Sequence, residues 1–277
     1  MNENLKRNLV TGFRKNKLAA AGLAVILAFS LIALIAPLLP MDPNRLSVSE
    51  RLVPPCLAHP LGTDEMGRDY LARCIYGGRT SLLVGFMAMV VSTLIGVAIG
   101  TVSGFLGGRI DVVMMRLVDA LMSLPTFLLM VVMNAYLDAG VRNVILVIGL
   151  LTWMGIARIV RGETMALKAR EYVIYSRVSG QSRVRTILRH ILPNIMPMVI
   201  VSATINIAQA ILMESALSFF GLGIIPPTAS WGSMLNSAQN KLITAPYLAV
   251  FPGLLILLTV ISFNYVGEVL RKIYEQR

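Results

Sequence analysis

The chain has 277 residues, 56% of them hydrophobic and only 14% charged, against about 25% charged in an ordinary soluble domain. With a mean hydropathy of +0.73, this composition excludes a soluble globular protein and describes a polytopic membrane protein. The net charge of +11 would suit a nucleic-acid surface, but cytoplasmic loops of membrane proteins collect Lys and Arg, so no nucleic-acid partner is expected.

Residues 1–17 are polar and basic, with Lys6, Arg7, Arg14, Lys15 and Lys17. Leu5, Leu9 and Phe13 fall on one helical face, which predicts an amphipathic cytoplasmic segment lying on the inner leaflet. The membrane domain then fills residues 18–277. Its first apolar span, 18–39, is too long for a signal-peptide core and lacks a clear small-residue cleavage site, so it reads as a retained transmembrane helix. A polar extracytoplasmic loop follows over 41–80. The second span, 81–103, carries Gly96, Gly100 and Gly104, a four-residue spacing that predicts close contact with another helix. The third, 112–137, has Pro125 in its middle, which predicts a kink or a break. The fourth covers 144–160, the fifth 195–217 and the sixth 248–270. Six spans place both termini on one side. The inner segments hold most of the Lys and Arg when that side is the cytoplasm.

The cytoplasmic loop 161–194 contains the longest polar interruption, Arg170, Arg177, Arg183, Arg185 and Arg189 among apolar residues at helical spacing. Such a segment cannot sit in hydrocarbon and must face water or a protein. Val173, Ile174 and Val178 mark one short helix; Val184, Ile187, Leu188 and Ile191 mark a second. Ser179-Gly180 separates them. Gly180 suits a left-handed residue ending the first helix, and Ser182 suits the N-cap of the second. Pro193 is expected to stop the second run. The result is a bent surface element with a shape that fits a groove on a soluble protein.

Catalytic signatures are missing: no GxxxxGK(S/T) phosphate loop, no HExxH, no GxSxG with partners. The chain is therefore read as a non-enzyme that binds no cofactor of its own. His59 and His190 fall on opposite sides of the membrane and cannot share a metal, so no metal site is expected; His190 reads as structural or interfacial. Cys56 and Cys74 share the extracytoplasmic loop, where a disulfide is permitted though nothing in the sequence fixes their distance. Polar groups inside spans are the usual transport candidates. Asn134, Asn206, Gln209, Glu214 and Asn264 are candidates to line a passage or to bond between helices, with Glu214 a candidate contact for a substrate amine. Arg116 and Asp119 are spaced to pair on one helix face.

The segment EYVIYSRVSGQSRVRTILRHILPN resembles the cytoplasmic loop of permease subunits from bacterial ATP-binding-cassette importers, whose pattern is Glu-Ala-Ala, then Gly, then Ile-x-Leu-Pro. Gly180, Leu192 and Pro193 fit; Ile174, Tyr175 and Ser176 replace Glu-Ala-Ala, and His190 replaces Ile. HPLGTDEMGRDYLARCIYGGRTSL (59–82), MMRLVDALMSLPTFLL (114–129) and LSFFGLGIIPPTASWG (217–232) are similar to the peptide and nickel permease branch. The matches are colinear over nearly the whole chain. The resemblance implies an all-α type I importer permease fold with six transmembrane helices and a coupling-helix loop, in the bacterial cytoplasmic membrane. It implies a homologous second permease subunit, two ATPase subunits that bind ATP and Mg, an extracytoplasmic solute-binding protein and contact with membrane lipid. Docking to the ATPase would fall to Tyr172, Tyr175, Ser176, Arg177, Ser179, Gly180 and Ser182, with Arg177 pairing with an ATPase carboxylate or an anionic lipid headgroup. A di- or oligopeptide is the expected solute, with nickel or a metal-opine as the alternative. A scaffold or channel without ATP coupling is the alternative of another class.

Overall fold

A computed structural model describes residues 11–275. Of the predicted N-terminal amphipathic face, Leu5 and Leu9 lie outside the described residues; Phe13 packs against Ala19, Val269 and Ile273. The first span is α1, Lys17–Ile35, extended by a 3-10 turn at Ala36–Leu38. The Asn16 side chain caps it by accepting from the Ala19 N–H at 3.2 Å. Nineteen residues reach about 28 Å at 1.5 Å per residue, close to the thickness of a bilayer core.

α2 runs Tyr70–Leu106, so the last part of the stretch read as loop 41–80 is helix. The reason is local: Asp69 caps this start by accepting from the Ala72 N–H at 2.8 Å. Tyr70, Cys74, Gly77 and Gly78 then bury into the loop end of the molecule rather than facing lipid. Further along, Gly96, Gly100 and Gly104 let α2 lie directly on α5, Val141–Lys168. A methyl group on Gly100 would meet the Ala157 carbonyl oxygen at 2.5 Å, and one on Gly104 the Arg161 carbonyl oxygen at 2.7 Å. The four-residue glycine spacing is thus a packing seam.

The third span is broken. α3, Gly108–Met122, and α4, Thr126–Tyr136, meet at 79°. Pro125 stands at the N-cap of α4, where its missing N–H breaks no helical bond. Taking this bent pair as one span, the described residues hold six candidate spans, the number the sequence predicts. The corner from α2 into α3 is made by Gly107 and Gly108, at φ +68° and +59°, in left-handed space that other residues enter only at a cost.

After α5 come α6, Glu171–Val178, and α7, Arg183–Thr186. A π turn, Ile187–Ile191, carries the chain straight into α8, Leu192–Phe219. Pro193 therefore does not stop the helical run as expected. It occupies the first turn of α8, where the widened π turn removes the need for its N–H. α9, Trp231–Ala238, is absent from the sequence reading; Ser230 and Ser233 close its start with a reciprocal capping box. α10, Tyr247–Glu275, is the last span.

The loop between α1 and α2 is tied by charge. Arg68 Nε lies 2.6 Å and Arg73 Nε 3.4 Å from Asp64 Oδ2. His59 Nδ1 lies 2.9 Å from Asp69 Oδ2. Cys56 is exposed and Cys74 buried, and neither is in a disulfide.

Candidate functional site

Two features stand out at opposite depths: a bent corner at the basic end and a groove inside the membrane region. The corner is built on α6. Val173 is fully buried against Phe105, Ile156, Val160, Ile191 and Ile195, and Ser176, three residues on, is also buried. Tyr175 and Val178 are 74% and 81% exposed, so the helix has one anchored face and one open face.

Gly180, at φ +78°, ends α6 as its position in the sequence predicts. The Gln181 N–H donates to the Ser176 carbonyl at 3.2 Å and the Gly180 N–H to the Arg177 carbonyl at 3.1 Å, the paired pattern of a left-handed helix stop. Ser182 then caps α7 by accepting from the Arg185 N–H at 3.4 Å. Side chains lock the bend: the Ser176 hydroxyl bonds to Gln181 Oε1, which also meets His190 Nε2 at 3.1 Å. His190 is thus a brace, in line with the structural role read for it. On the open side, Tyr172, Tyr175, Ser179, Gly180, Arg185 and His190 border a hollow of about 870 Å³. Arg177 points elsewhere: its guanidinium carbon stands 5.8 Å from the centre of the Phe105 ring.

The groove, about 450 Å³, lies between the broken third span, α5 and α8. Met122 and Thr126 reach it from either side of the break, Thr152 and Met154 from α5, and Ser202, Asn206, Gln209 and Met213 from α8. Among the described residues, no charged side chain lines it. Asn206 is held by its Nδ2 donating to Ser92 Oγ at 2.7 Å. Gln209 is exposed although it lies well inside an apolar span. An amide facing hydrocarbon is costly, so this face suits a wet passage or a polar partner.

The five passage candidates do not stay together: Asn264 is exposed on α10 and does not border the groove. Asn206 and Gln209 line the groove. Asn134 is buried and turns back on its own helix, donating to the Met130 carbonyl at 2.9 Å. Glu214 is fully buried and does not border the groove. Its carboxylate accepts from Ser81 at 2.9 Å and Ser218 at 2.8 Å, while Ser81 accepts from the Trp231 N–H at 3.2 Å. Glu214 therefore joins α2, α8 and the start of α9. No local pattern announces this junction, because it forms only once α9 is in place. Asp119 likewise pairs with Arg158 of α5 at 2.6 Å rather than with Arg116. Among the described residues, no group of three or more His, Cys, Asp or Glu side chains is placed to hold a metal ion.

A bundle of apolar spans with a broken third span, an uncharged groove and a basic corner describes an integral membrane protein. Residues 96–277 match the family model of the binding-protein-dependent transport system inner membrane component, and residues 7–55 that of the N-terminal TM domain of oligopeptide transport permease C. The chain is 42% identical over 257 residues to the dipeptide transport system permease protein DppC of Bacillus subtilis, covering 92% of this chain and 80% of that one. It is 38% identical over 269 residues to the oligopeptide transport system permease protein OppC of the same organism, covering 97% and 88%. With OppC of Haemophilus influenzae it shares 38% over 263 residues, covering 94% and 84%. A chain from the crystal structure of an amino acid ABC transporter shares the fold at a TM-score of 0.55 and 12% identity, over 75% of this chain and 95% of that one. This chain belongs to the family of ABC transporter permeases, in its peptide permease branch.

Proposed function

We propose that this chain is the permease subunit of an ATP-driven importer of di- or oligopeptides. The observation that carries the proposal is the pairing of a half-open corner at the basic end with an uncharged groove inside the spans, whose largely apolar wall carries hydroxyl and amide groups. The groove presents hydroxyl and amide groups of Thr126, Ser202 and Gln209 together with methionine side chains. Such a wall can hydrogen-bond a peptide main chain while tolerating varied side chains, because methionine adapts its shape. The relatives named for dipeptide and oligopeptide transport favour the same solutes.

In this reading both termini face the cytoplasm, where loops rich in Lys and Arg belong. The hollow beside Tyr172, Tyr175 and Gly180 receives a cassette ATPase subunit. Two such subunits bind ATP and Mg, and a homologous second permease completes the passage. An extracytoplasmic binding protein delivers the solute to the loop end. Closure of the ATPases moves the corner, and the spans alternate between inward- and outward-facing states.

The test is uptake by liposomes containing the co-expressed complex, supplied with its binding protein, Mg and ATP. Labelled di- to pentapeptides are expected to accumulate only with ATP. Accumulation of nickel alone would favour the metal reading, and assembly without ATP-dependent uptake of any probe would favour a scaffold.

A further inference from the structure

Phe105, at the last turn of α2, is only 3% exposed and has two cations close to its ring. Lys168 Nζ, at the end of α5, stands 5.9 Å from its ring centre, and Arg177 Cζ, on α6, stands 5.8 Å from it. Both distances fall in the range where an aromatic face attracts a cation. The ring also packs in the cluster that buries Val173, the anchored residue of α6. Immediately after Phe105 the chain turns through Gly107 and Gly108 into α3. There Asp111 receives a bidentate pair from Arg161 at 2.6 and 2.7 Å and a hydrogen bond from Ser103. α6 is therefore joined through one ring to the end of α2 and, a few residues on, to the start of the broken span that forms a wall of the groove.

We infer that Arg177 is a positioning residue that works inward: with Lys168 it grips Phe105, and this grip gears the corner helix to the broken third span. The inference rests on the importer reading above and adds to it a specific linkage. A packed contact of this kind passes a displacement on because close-packed groups barely compress, whereas an arginine that only docked a partner would act through assembly with the ATPase and not through Phe105.

The test uses the complete complex with Met122→Cys in a Cys56→Ser background, since Met122 borders the groove and Cys74 is buried. The readout is the rate at which a maleimide labels the introduced thiol with and without ATP and Mg. In the parent, ATP changes that rate. Phe105→Leu, which keeps an apolar side chain but removes the ring face, and Arg177→Gln are each expected to shrink the ATP-dependent change roughly three-fold. Phe105→Tyr and Arg177→Lys restore it, and the ATPase subunits co-purify throughout. Because Arg177 is exposed, its variants test the linkage even if Phe105→Leu folds poorly. An unaltered ATP response in both variants overturns the inference. So does loss of ATPase co-purification in Arg177→Gln with a normal response in Phe105→Leu, which would make Arg177 an outward docking residue. A parent whose introduced thiol ignores ATP altogether overturns the importer reading itself, and the linkage with it.

Discussion

Arg161 and Asp111 face each other across two helices and meet side by side, Nε to Oδ1 at 2.6 Å and Nη2 to Oδ2 at 2.7 Å. The planar guanidinium matches the carboxylate in both bonds at once, a geometry lysine cannot reproduce. Asp111 is 8% exposed, so removing its partner leaves a charge with little water around it. Arg161→Gln is expected to lower stability by about 2 kcal/mol, and Arg161→Lys to recover only part of that. Thermal unfolding of the purified chain in detergent checks both, and a double variant with Asp111→Asn should cost less than the sum of the singles.

Gly180 sits at φ +78° with no atom within 4 Å of where a Cβ would stand. The space around it is open, so a substitution there meets a backbone penalty alone. Gly180→Val is expected to cost about 1–2 kcal/mol through the left-handed conformation and to tilt the stop of α6 away from the hollow beside Tyr175. Gly180→Asn, which tolerates that conformation, is expected to behave nearly as the parent. Co-purification of ATPase subunits and their ATP hydrolysis rate separate the two. An impaired valine variant beside a normal asparagine variant supports a backbone requirement, and equal behaviour removes it.

Gly180 belongs to the features that are legible in the sequence. Span number, the glycine seam of α2, the break at Pro125 and the bend with its Ser182 cap all follow from residues that are near one another along the chain. Local chemistry decides them, so they can be read without a fold. Asp119, Glu214 and Arg177 are different. Their partners, Arg158, Ser81 and Phe105, lie 39, 133 and 72 positions away along the chain, and a polar residue in a span looks the same whether it faces a passage or a distant serine. Pro193 misled for a related reason. The rule that proline ends a helix assumes an ordinary α turn before it, and here a π turn precedes it and absorbs the missing N–H.

The burial of Glu214 reverses the expectation for its replacement. Glu214→Ala leaves the hydroxyls of Ser81 and Ser218 without their acceptor in a dry site and is expected to cost about 3 kcal/mol or more, with loss of properly folded protein from the membrane. Glu214→Gln keeps one acceptor oxygen and much of the shape, so a milder loss is expected. Neither change should alter which peptides compete with one another for uptake by the protein that remains. A shift in that competition order, with thermal stability unchanged, would put Glu214 back in contact with solute.

Gln209 carries the opposite signature. Its amide is exposed toward the groove, one turn from the anchored Asn206, so it contributes little to holding the bundle together. Gln209→Leu is expected to leave thermal stability within about 0.5 kcal/mol of the parent, as for surface substitutions generally. If the amide meets a peptide main chain in passage, the same change should raise the KM for peptide uptake by about five-fold, the effect of losing one hydrogen bond near 1 kcal/mol. Gln209→Asn, with a shorter reach to the same groups, should fall between. Uptake kinetics across peptides of different side chains then tests the idea more sharply than one substrate can. A main-chain contact predicts the same proportional loss for every sequence, because each peptide offers the same amides. A loss confined to peptides bearing one type of side chain would instead make Gln209 a selective contact and the groove wall a specificity element.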